Sequence, residues 1–183
     1  MSTTLRFEGD RELTLEQYAI TASAGIAWPS RWSASLAVGA VLGGRLEEPA
    51  GGHDLGPGLV ATASVSRQWQ RAPWFVTGTG SFGASRVPTQ ADGGGAGETL
   101  VGIDGRVGAT AGRTVGPVSP YLLLRAFGGP VLWQLGGMDV VGTDTTHVQL
   151  GAGVSATFGP ATVVLDVSAL GERSASLGLS YRR

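Results

Sequence analysis

Cysteine, lysine and asparagine are all absent from the 183 residues. Without cysteine there is no disulfide and no thiolate metal site. Without lysine, all 13 basic side chains are arginine, which reads as the codon bias of a GC-rich genome rather than as chemistry. Those arginines face 14 acids, for a formal net charge of −1. No basic excess exists to displace counterions from phosphates, so a nucleic-acid partner is not expected. No run of about 18 apolar residues occurs, which excludes a transmembrane helix. Met1–Glu12 is polar and lacks the apolar stretch of an export leader. An exported chain would have lost its leader or would carry it upstream of Met1. The length suits one domain, residues 1–183.

Alternation fills most of the chain. Tyr18, Ile20, Ala22, Ala24, Ile26 and Trp28 share one face, and Ala19, Thr21, Ser23, Gly25 and Ala27 share the other. A period of two is a β-strand. The bulky face carries almost no charge, and the opposite face is hydroxyl and glycine rather than packed leucine. That combination predicts a closed sheet with lipid outside and a polar interior. The 31 glycines lie inside the alternating segments, where they permit bends and close backbone approach.

Turn signals divide the chain into segments: Tyr18–Trp28, Trp32–Leu46, Leu59–Trp69, Trp74–Val87, Thr99–Arg113, Pro120–Gln134, Thr146–Phe158, Ala161–Leu170 and Ser174–Arg182. Connections alternate between short and long. Long loops are expected at Glu47–Gly58, Pro88–Glu98 and Leu135–Thr145. Thr3–Glu8 supplies a first strand, with Gly9–Leu13 as its loop. The fold class expected is all-β, a transmembrane antiparallel up-and-down β-barrel of ten strands. The alternative is eight strands, with Thr3–Glu16 a lead-in and the last two segments fused.

Aromatic residues bracket the short turns. Trp28 and Trp32 flank the first, Trp69 and Trp74 the second, Phe158 precedes Gly159-Pro160, and Tyr181 ends the last strand. Such rings form the interface girdle of a membrane barrel, with an apolar body beside a wet edge. Most acids fall at the long-loop end: Asp10, Glu12, Glu47, Glu48, Asp54, Asp92, Glu98, Asp139, Asp144 and Glu172. Loops are polar in general, and acids there also suit divalent cations beside lipopolysaccharide phosphates.

In the last segment, Ala175, Leu177, Leu179 and Tyr181 alternate with Ser174, Ser176, Gly178 and Ser180. This resembles the C-terminal assembly signal of Gram-negative outer-membrane β-barrel proteins, here with Arg182 and Arg183 after the terminal aromatic. The resemblance is one of architecture and selects no subfamily. It implies insertion by the barrel-assembly machinery and residence in the bacterial outer membrane. The partners expected are the lipid bilayer and lipopolysaccharide, for a monomer without cofactor or metal.

By parity Asp104, Arg106, Arg125 and Asp166 point into the lumen. They read either as a neutral ion-pair network closing the bore or as a charged constriction selecting solutes. Arg67 and Arg86 share parity with the lipid face near strand ends and suit lipid headgroups. His53 sits beside Asp54 in a Gly-rich loop, and His147 starts a strand on the luminal face. Neither lies in a nucleophile motif. The function expected is a narrow, porin-like channel or non-enzymatic membrane component with a Ser/Thr/Gly-lined lumen. The alternatives are a scaffold or adhesion barrel binding partners through acidic outer loops, and a lipid-modifying enzyme.

Overall fold

The computed structural model describes residues 1–7, 11–48, 51–94, 97–135 and 137–182. Thirteen antiparallel strands occupy these residues, with no helix among them. They are β1 (Ser2–Phe7), β2 (Arg11–Ala27), β3 (Trp32–Glu48), β4 (Gly51–Leu55), β5 (Gly58–Arg71), β6 (Trp74–Ala91), β7 (Glu98–Arg113), β8 (Val118–Gly128), β9 (Pro130–Leu135), β10 (Met138–Asp144), β11 (Val148–Phe158), β12 (Ala161–Leu170) and β13 (Ser174–Tyr181). The count exceeds the ten expected because Pro120–Gln134 is split in two and the expected loops Glu47–Gly58 and Leu135–Thr145 each carry a strand. β4 and β5 part at Gly56-Pro57, β8 and β9 at Gly129, and β10 and β11 at 145–147. β4 and β5 share the neighbours β3 and β6, whereas β10 pairs with β1 and β9 and β11 with β8 and β12. β8 and β9 both pair with β7, but β8 turns its other edge to β11 and β9 to β10.

Eight strands close a ring in the order β1-β2-β3-β4-β6-β7-β9-β10, with β10 pairing back onto β1. Below this ring end the sheet continues to the short turns as β2-β3-β5-β6-β7-β8-β11-β12-β13. There the sheet has two free edges. β2 from Tyr18 to Ala27 is paired only with β3, and β13 only with β12.

Two expected loops are instead extended hairpins. Gly51–Leu55 pairs with both β3 and β6, and β6 runs on to Ala91. Met138–Asp144 pairs with β9 and β1, so the expected loop 135–145 is largely strand. Backbone ladders satisfy the N–H and C=O groups that a loop would leave to water. Glu8, Gly9, Asp10 and Arg183, named above, lie outside the described residues.

The outward face below the ring is apolar, as the alternation implied. Tyr18, Ile20, Ile26, Leu36, Val38, Phe82, Val107, Leu122, Leu124, Leu165, Leu177 and Leu179 are all exposed. The inward face is not uniform, and here the expectation of a polar lumen throughout is corrected. At the ring end Leu5, Phe7, Leu13, Leu15, Val41, Leu46, Leu55, Val87, Leu100, Val131 and Trp133 pack into one core. Leu13 and Leu15 share the parity of Thr21 and Ser23, so one face of β2 changes from leucine to hydroxyl along its length. Leu46 turns inward against the parity of Leu36 and Val38 because of a bulge. Tyr18 pairs with Gly43 but Ala19 with Val41, which leaves Leu42 as the extra residue. Gly43 takes a φ of 151°, open to glycine and rare for other residues.

Candidate functional site

The bore below the core is lined by hydroxyls. Ser33 and Ser66 meet across β3 and β5 at 2.7 Å, and Ser35 and Ser64 at 2.8 Å. Of these Ser64, with Thr62, Thr79, Ser81, Thr110, Arg106 and Arg125, faces a cavity of about 330 Å³. Short polar side chains form here because the strand alternation leaves every second residue to the interior, and hydroxyls there bond to one another.

Arg106 is the central group. Its Nε donates to Asp104 at 2.6 Å, and its Nη atoms reach Glu172 at 3.1 Å. Its guanidinium also lies 5.4 Å from the Phe127 ring centre. Gln149, fully buried, donates to the Glu172 carbonyl at 3.1 Å and to the Ser174 hydroxyl at 3.1 Å, and accepts from Arg125 at 3.4 Å. Above Arg106 a second cavity of about 210 Å³ is bounded by Thr3, Gln17, Asp144 and Glu172. Thr3 donates to Asp144 at 2.8 Å. Asp166 stands apart from this cluster and accepts from the Tyr121 hydroxyl at 2.6 Å.

All four lumen residues named from parity therefore face the bore, but only Asp104 and Arg106 pair with each other. Sequence reading missed two partners. Glu172 was assigned to the long-loop end, yet it is buried at 4% exposure. The β12–β13 hairpin is short and its tip lies beside Ser2, at mid-height. Its turn therefore tucks a carboxylate into the wall. Gln149 was passed over because a neutral amide on an inward face carries no charge signal. Counting Glu172 and Asp144, the described residues of the bore include four acids against two arginines, a formal excess of negative charge rather than a balance.

Trp133 seals the ring end. It is 1% exposed and donates from Nε1 to the Thr89 hydroxyl at 3.0 Å. Phe7 packs on it at 5.7 Å and His53 at 4.7 Å edge-on. His53 is thus buried in the core, with Nε2 4.0 Å from Glu98. His147 is exposed at the break between β10 and β11, beside Gly128. The two imidazoles share no site.

On the rim beyond the core, arginines match the acids. Arg45 pairs with Asp54 at 2.9 Å, Asp92 at 2.8 Å and Glu47 at 3.5 Å. Asp92 above all, with Asp54, holds the Arg45 guanidinium more firmly protonated than usual. Arg11 pairs with Glu48 and Arg6 with Glu12. No group of three metal-ligating side chains occurs among the described residues.

The outward aromatics ring the short-turn end: Trp28, Trp32, Trp69, Trp74, Phe158 and Tyr181 are all exposed. Arg67 lies between two of them, 5.4 Å from the Trp32 ring and 5.3 Å from Trp69. Arg86 stands on the outer face opposite Leu59, further toward the ring end. Comparison with protein-family models, curated proteins and solved structures finds no match to this chain.

Proposed function

We propose that this chain is a membrane-embedded β-barrel of a Gram-negative outer membrane, a non-enzymatic component whose polar bore is stoppered at the ring end. The carrying observation is the outer band. From Tyr18 to Trp28 the strand spans about 33 Å at ~3.3 Å per residue. Tilted by about 40°, it covers roughly 25 Å, the height of a barrel's lipid-facing belt. Within that belt bulky apolar side chains face out, while hydroxyls and ion pairs face in. A water-soluble barrel has the reverse requirement, because exposed apolar area on that scale drives association. The aromatics at one rim, with Arg67 among them, suit the headgroup boundary.

Asp104, Asp144 and Glu172 border the upper cavity beside Arg106, which favours cations there, whereas the lower cavity is lined by Arg106 and Arg125 among hydroxyls. The Trp133 core supports a closed barrel over a permanently open pore. The rim above it, built from hairpins braced by Arg45, gives the scaffold reading a rigid surface. The lipid-modifying reading draws least support, since His53 is sealed in the core. Flotation with liposomes and heat-modifiable migration in detergent gels test the proposal. The barrel reading requires both, and a chain that stays soluble and monomeric without detergent overturns it. Planar bilayers are expected to show no steady single-channel steps.

A further inference from the structure

We propose that the gap between β2 and β13 is filled by the polypeptide immediately upstream of Met1, as one strand antiparallel to both walls. The ladder already begins it. Ser2 pairs with Glu16 of β2 on one side. On its other side it exchanges two backbone bonds with Arg173, at 2.7 and 2.9 Å, just before β13. One residue earlier, the Gln17 N–H donates to the Met1 carbonyl at 3.0 Å. The first residues of β1 thus sit at the top of the gap, bonded to both walls and aimed down it.

Both walls continue below that point without a second partner. Tyr18–Ala27 is exposed and paired only with β3, and Ser174–Tyr181, exposed from Ala175 on, is paired only with β12. β2 and β13 run in the same direction, since each follows an ascending strand that it pairs with antiparallel. A strand running opposite to them satisfies both edges at once, and β1 runs that way. Lipid offers no partner for open strand edges, and water-exposed edges invite aggregation. The length required is eight to ten residues, matching the 174–181 and 18–27 walls.

The register also fixes the occupant's pattern. Met1 is opposite Gln17 and lines the inner cavity. The residue before it falls opposite Tyr18, which faces out. The first, third and fifth residues upstream of Met1 are therefore apolar, and the second and fourth are small or polar. The inference rests on the membrane reading only for the surroundings of the gap, because the ladder argument holds in any solvent.

The test compares the chain beginning at Met1 with one prolonged by the ten residues encoded in frame upstream. Amide hydrogen exchange in detergent micelles is followed over 18–27, 174–181 and, as a reference, 58–71. The prolonged chain is expected to slow exchange at least a hundredfold over both walls, with 58–71 protected equally in the two forms. If the prolonged chain does not fold, the same ten residues added as a peptide to the shorter chain are expected to protect both walls. An in-frame stop codon within those ten codons overturns the proposal, and so does a segment lacking the alternation. Equal protection of both walls in the shorter chain also overturns it, either by direct contact or by a second copy in a concentration-dependent way. Flotation reads the membrane proposal separately, so either can fail alone.

Discussion

The indole of Trp133 and the hydroxyl of Thr89 are joined across the ring end by a buried 3.0 Å hydrogen bond. The two strands that flank β7, β6 and β9, thereby anchor the largest side chain of the core between them. Replacing Trp133 removes both the ring that fills the space and the donor that fixes it. Trp133→Ala is expected to cost about 3–5 kcal/mol in urea unfolding from detergent micelles. In planar bilayers it is expected to convert a silent barrel into one with discrete steps. Unchanged electrical silence in a correctly folded variant would place the seal elsewhere.

Arg106 depends on Glu172 for its second carboxylate. Glu172→Gln leaves the guanidinium with Asp104 alone, inside a wall where water is scarce. Because the Arg106 side chain keeps 27% of its exposure, the penalty should fall below the buried-pair range, at about 1–3 kcal/mol. A double-mutant cycle with Arg106→Gln is expected to return a coupling of about 1–2 kcal/mol. A cycle that sums to zero would mean that the pair contributes no mutual stabilisation.

Tryptophan depth separates the girdle from the core. In vesicles of brominated phospholipids, Trp32, Trp69 and Trp74 are expected to be quenched by bromines placed near the headgroups. Trp133, shielded by Phe7 and Leu46, should not be quenched at any bromine depth. Single-tryptophan variants read each position separately. Strong quenching of Trp133 would contradict the inward placement of the core.

Gly129 sits where β8 gives way to β9. A Cβ there would lie 1.9 Å from the Ile103 carbonyl, a backbone atom that cannot swing aside. Gly129→Ala should therefore part β9 from β7 and lower stability by several kcal/mol, within the range of strained core substitutions. The control is Gly80→Ala, where an added methyl meets nothing within 4 Å and little change is expected in the urea midpoint.

The lower sheet was legible because its two faces make opposite demands on alternate residues. From Tyr18 to Ala27 lipid-like and water-like demands fall on alternate residues, and a period of two survives in the sequence. The ring core was not legible. Leu13, Leu15, Leu55 and Trp133 sit among Glu, Asp, Gly and Pro, a composition shared with loops. Leu46 turns inward because one extra residue, Leu42, inverts the parity of the strand without any mark in composition. Asp104 and Arg106 were assigned inward by the cost of charge on the outer face, and they pair with each other. Glu172 was not, because only the short reach of the β12–β13 hairpin brings it to the wall. The negative balance of the bore follows from that hairpin rather than from any local motif.

Tyr121 reaches Asp166 over Gly153, where an added Cβ would come 2.5 Å from the phenol ring. Phe75 stands similarly against Gly112, 2.6 Å from the position a Cβ would take. Each large ring thus rests in a recess cut by a missing side chain on the strand beside it. The calibre of the bore is therefore written in its glycines as much as in its rings. Descendants of this chain could widen or narrow the passage by trading single methyl groups at 112 and 153, leaving every charge in place.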